Sequence, residues 1–161
     1  MLGEYRMTAR NELIDFIFFH ENDIMAAVRE KRLDPGGGIT GGNGTGHSKM
    51  SDPTAAQGIK LASPIVAVSI EYGAAIGGIR NSRTIRNPEK WLQVLAETRG
   101  FYQNRKQGDF IRRRYNQDEN WRDTCKAMKC SRTCYYAYKS DVFRFAENLA
   151  IGYGIISPWH K

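Results

Sequence analysis

Between Gly36 and Ser51 the chain reads GGGITGGNGTGHSKMS, glycine and small polar residues with almost nothing to bury. Such a stretch cannot offset the entropy of its own ordering. It therefore divides the sequence, and any core must be built from the residues on either side of it. The expected organisation is an N-terminal helix or helix pair over 1–35 and a flexible Gly-rich linker over 36–50. A helix, a short β element and a long helix follow over 51–105, and a last helical segment over 106–161.

Within the linker, Gly41–Ser48 differs from a phosphate-binding loop at one position, with His47 where that loop carries Lys. A phosphate loop works because a strand feeds it and a helix leaves it, so that amide N–H groups and the helix dipole meet the phosphates. Here a helical pattern and DPGGG precede it, and no later apolar strand ends in Asp to hold magnesium. His47 also lacks the fixed charge of Lys. The match is a property of the linker, and no nucleotide cofactor is expected.

Before the linker, Leu13, Phe16, Ile17, Ile24 and Val28 recur at helical spacing over 8–33, with Thr8 as cap and a weakening near His20–Asp23 that allows a break into two helices. After it, SDPTAAQGIKLA reads as a capped helix start. PIVAVSIEYG is a β-branched strand candidate, and GAAIGGIRNSRTIR is its hairpin partner or a loop. Asn87-Pro88-Glu89 opens a helix through about Arg105, with Asn87 as cap, Pro88 in the first turn and Trp91, Leu92, Leu95, Thr98 and Tyr102 on one side.

The 161 residues carry 24 Lys and Arg against 17 Asp and Glu, a net charge of +7. Residues 105–161 hold 12 basic and 6 acidic side chains, so nearly all the excess lies in the last third. An anionic partner is expected there. No apolar run is long enough for a membrane span and no signal-peptide pattern opens the chain, so the expected location is cytoplasmic. Cys125, Cys130 and Cys134 form an odd set with gaps of five and four positions. That is a poor disulfide framework and lacks the Cys-x-x-Cys knuckle of structural zinc, so no metal is expected. Few histidines and no nucleophile–base pairing point away from an enzyme.

The C-terminal segment reads as three helical pieces. Phe110–Tyr115 is expected to expose Arg112, Arg113 and Arg114 as a triple charge. Trp121–Met128 follows, capped by Asn120, with Trp121, Cys125 and Met128 on one face. A third helix starts after the cap Ser131, with Tyr135, Tyr138, Val142, Phe145, Ala146 and Leu149 inward. Two helices joined by about three residues, the second basic at its start, is the helix-turn-helix pattern. Lys129 stands where that motif often has Gly. The outward face then carries Ser131, Arg132, Thr133, Tyr136 and Ser140, with Ala137, as base-contacting candidates. Arg112, Arg113, Arg114, Lys129 and Lys139 are expected on phosphate.

The order WRDTCKAMKCSRTCYYAYKSDVFRFA, preceded by RRRY and followed by GYGII, resembles the C-terminal helix-turn-helix of small phage transcriptional regulators of the RinA and ArpU type. Their DNA-binding part is similar to region four of bacterial sigma factors. SDPTAAQ and NPEKWLQVL also look like pieces of such prophage proteins. The resemblance implies a mainly α protein with a small β element and a sigma-region-four-like DNA-binding domain over 106–161. It further implies an activator of phage genes whose partners are double-stranded DNA and host RNA polymerase. A homo-oligomeric DNA-packaging subunit of small-terminase type is the alternative reading.

Overall fold

The computed structural model describes residues 8–33 and 63–158. The expected linker and the helix start after it lie outside them. The described residues are mainly helical, with one two-stranded antiparallel sheet.

Helices α1 (Ala9–Phe19) and α2 (Glu21–Leu33) are the expected N-terminal pair, broken at His20. The Thr8 hydroxyl caps α1 by accepting from the Asn11 N–H. Strands β1 (Ala67–Ile76) and β2 (Ile79–Arg86) form a hairpin in which Val68 pairs with Ile85 and Ile70 with Arg83. Its turn is Gly77-Gly78, both at positive φ, the backbone a tight two-residue hairpin demands. Helix α3 (Pro88–Tyr102) ends three residues short of the expected Arg105 and buries Trp91, Val94, Leu95, Thr98 and Tyr102. Helix α4 (Lys106–Ile111) runs into a wide π turn over Arg112–Asn116, and α5 (Trp121–Met128) and α6 (Arg132–Gly152) complete the chain.

These elements fall into two compact units. One comprises residues 8–22 and 90–158, the other residues 23–33 and 63–89. Composition had grouped 106–161 by itself, whereas the first unit joins that segment to α1. Its core is aromatic and aliphatic, with Ile14, Ile17, Phe18, Phe110, Ile111, Tyr135, Val142, Phe143 and Ala146 buried together with the α3 face. The Phe18 ring stacks at 4.9 Å on Tyr115, and Phe110 meets Tyr135 edge-on at 5.1 Å. Such pairs add to the burial of their own large surfaces.

In the second unit, Arg32 at the end of α2 reaches the Ser63 carbonyl and the Glu89 carboxylate, while the Ile65 N–H donates to the other Glu89 oxygen. Lys31 donates to the Ala67 carbonyl. The Arg32 hydrogen bond holds the Glu89 carboxyl below its ordinary 4.5, against the opposing push of burial.

Candidate nucleic-acid interface

The turn between α5 and α6 is built by caps on both sides. Asn120 accepts from the Arg122 and Asp123 N–H groups to start α5. Lys129 ends it in the left-handed region at φ 50, ψ 45. Its N–H reaches Lys126 O, and the next N–H, of Cys130, reaches Cys125 O at 3.0 Å. This pair of bonds is the Schellman arrangement, which favours Gly at the left-handed residue. The position that invites Gly in the sequence motif is therefore the one the backbone strains. Ser131 then caps α6, its hydroxyl accepting from Cys134 N at 3.2 Å.

On α6, Ser131, Arg132, Thr133, Ala137 and Ser140 are exposed and Tyr136 is half-buried, so the expected outward face stands clear. The opposite face is Tyr135, Lys139, Val142, Phe143, Ala146 and Ala150. Tyr138, Phe145 and Leu149, expected inward, are half-buried flanks instead.

Lys139 corrects the phosphate assignment. It is only 7 % exposed. Its ammonium lies 3.3 Å from Asp15 Oδ2 and over the Phe143 ring, while the Tyr115 hydroxyl donates to Asp15 Oδ1 at 2.7 Å. A buried ammonium spent on the half-buried Asp15 carboxylate is not presented to a ligand. Burial, reinforced by the Asp15 charge, pushes the Tyr115 hydroxyl well above its ordinary 10, and it stays a donor.

The arginine triplet is also corrected. Only Arg112 is exposed, and it pairs with Asp109 at 2.6 Å. Arg113 pairs with Glu119 at 3.0 Å. The Arg114 guanidinium lies 4.5 Å over the Phe19 ring and donates to Glu119 O. The π turn is the cause. Its i to i+5 bond, Gln117 N to Arg112 O, inserts a residue and carries Tyr115 inward five positions after Phe110. Arg113 and Arg114 are left to brace the following loop.

The free basic groups lie elsewhere. Arg122 and Lys126, four apart on α5, and Lys129 at its end are exposed. None of the three enters an ion pair with a described residue. Arg132 is exposed and has no acidic partner among the described residues. Its guanidinium sits 5.0 Å from the Trp121 ring and 5.6 Å from the Tyr136 ring. Two aromatic faces thus hold one cation at the start of α6. Arg144 continues the outward stripe one turn beyond Ser140, 75 % exposed and paired to Asp141 at 3.2 Å. Sequence reasoning missed Arg122, Lys126 and Arg144, although the four-residue spacings to Lys126 and from Ser140 carried them.

Trp121 and Met128, expected to be mostly buried, are half-buried, and Thr124 is the buried residue of α5. The three cysteines are free and half-buried. Burial and the neighbouring Cys125 push the Cys130 thiol up to about 11, so it stays protonated at neutral pH and is a poor ligand or nucleophile. Among the described residues no group of His, Cys, Asp and Glu is arranged to hold a metal ion, and no helix is long and apolar enough to cross a membrane.

Comparison with known proteins finds no matching family model, no match among curated proteins and no match among solved structures.

Proposed function

We propose that this chain is a sequence-specific DNA-binding transcriptional regulator of prophage type. It would place the first turns of α6 in the major groove, with host RNA polymerase as a second partner. One observation carries the reading. An exposed, acid-free Arg132 is held between Trp121 and Tyr136 beside the basic line Arg122, Lys126 and Lys129. A guanidinium fixed in this way loses less freedom on pairing with the two major-groove acceptors of guanine. The α5 cations suit the phosphates that a first helix crosses. Thr133, Tyr136 and Ser140 supply further outward contacts, and Ser131 combines capping with exposure.

The test compares Arg132→Ala with Lys126→Ala on selected and scrambled duplexes at two salt concentrations. Arg132→Ala should cost about 1–3 kcal/mol on the selected site and little on scrambled DNA. Lys126→Ala should weaken both alike and lower the salt slope by about one unit. Equal losses for both variants on both duplexes would overturn the assignment of α6 as the reading helix.

A further inference from the structure

Among its described side chains, the β1–β2 hairpin buries residues only near its base. Val68, Ile70 and Ile85 are buried, Tyr72 and Arg83 are half-buried, and from Gly73 outward the ribbon buries no described side chain. A ten-residue strand is about 33 Å long, so nearly half of the hairpin projects as an arm. Its distal sequence, GAAIGGI, is slender, and Ile79 beside the Gly-Gly turn is 78 % exposed. Hairpin residues 67–86 hold three arginines, Arg80, Arg83 and Arg86, against the single acid Glu71. Arg80 and Arg86 are exposed and form no ion pair with a described residue. They are six positions apart, about 20 Å along the strand, which lets them reach separate phosphates.

Neither long edge of this ribbon pairs with another described strand, yet neither favours an added one. The β1 edge is broken by an irregularity between Tyr72 and Ile76, where Gly73 has φ 78, and the β2 edge carries the arginines. Bulges and edge charges are features that block strand addition. A narrow two-stranded ribbon with cations along one strand and an apolar residue at its tip instead has the attributes of arms that lie in a DNA groove, where an apolar tip can wedge a base step.

We infer that the hairpin is a second, sequence-independent contact for duplex DNA, with Arg80 and Arg86 on phosphates and Ile79 entering the minor groove. The inference rests on the DNA-binding reading above and adds a separate surface to it. The test uses the full chain and a short mixed-sequence duplex, with affinity read by anisotropy from about 50 to 200 mM salt and bending read by end-to-end energy transfer. The Arg80→Ala/Arg86→Ala variant should bind about tenfold more weakly and lose about two units of salt slope. Arg80→Lys/Arg86→Lys should restore both. Ile79→Gly should keep the slope and reduce the bend, and a netropsin-type minor-groove ligand should displace the arm's contribution. Wild-type affinity and slope in the double alanine variant would overturn the inference, and no competition by the minor-groove ligand would overturn the groove placement. If Arg132→Ala still relaxes base preference in that case, the α6 reading survives alone. A wild-type chain that binds no duplex would sink both.

Discussion

Lys129 bears two burdens at one position. Its φ of 50 costs a residue with a Cβ about 1–2 kcal/mol, while Gly loses part of that advantage through its own unfolded-state freedom. Lys129→Gly should therefore raise stability by about 0.5–1 kcal/mol in denaturant titration. It should also remove one unit of salt slope from DNA binding without changing base preference. A loss of stability would show that the Lys side chain makes a contact outweighing the strain. At this scale the sequence was legible where a residue acts through local chemistry. Thr8, Asn120 and Ser131 cap the helices they were expected to cap, whereas Asn87, the expected cap of α3, stands in the left-handed region at φ 52. It was misleading where a charge is answered from far along the chain. Lys139 reads in the sequence as a phosphate contact, because its partner Asp15 is 124 positions away. The arginine triplet carried its own warning. Three consecutive helical residues fan across about 200° of the cylinder, so all three could not share an exposed face.

Among the elements, α3 and α4 meet at a tight corner. A Cβ on Gly108 would lie 2.2 Å from the Tyr102 carbonyl oxygen, so Gly108→Ala must displace backbone. Its expected cost is about 1–3 kcal/mol, the range for forced overpacking, and a melting curve measures it. A substitution tolerated without loss would mean that this corner opens freely. The link between α2 and the hairpin base has a pH signature. Arg32 depresses the folded pKa of Glu89 below 4.5, so the stabilisation is present at higher pH and is lost as pH falls through that depressed value. Both side chains keep about a third of their exposure, which limits the effect to at most about 1 kcal/mol. Glu89→Gln should flatten the acid limb of stability below about pH 4.5 and leave a neutral-pH deficit of similar size. Helix positions followed from periodicity, whereas the sequence left the segment after Gly73 open between a hairpin partner and a loop, and β1 in fact runs on to Ile76 before the Gly77-Gly78 turn. The π turn did not follow from periodicity, since nothing in FIRRRYN departs from an ordinary helical pattern until Tyr115 has to find a pocket.

For the molecule as a whole, mainly helical content with one small β element followed directly from the sequence, while the grouping of helices did not. Apolar spacing reports which residues turn inward and is silent on what they meet. The long-range ion pair tests the grouping. Asp15→Ala should strand the Lys139 ammonium in the core and cost about 3 kcal/mol, and Lys139→Met on that background should recover much of it. Additive losses in the double variant would show that the two charges do not depend on one another. The same pairing has a consequence during synthesis. Asp15 leaves the ribosome 124 residues before Lys139. At about 5–20 residues per second that interval is roughly 6–25 s, during which α1 has no C-terminal helices to bury its Ile14, Ile17 and Phe18. A nascent chain stalled before α6 should thus hold an apolar helix in open water, a natural substrate for the chaperones that wait at the exit tunnel.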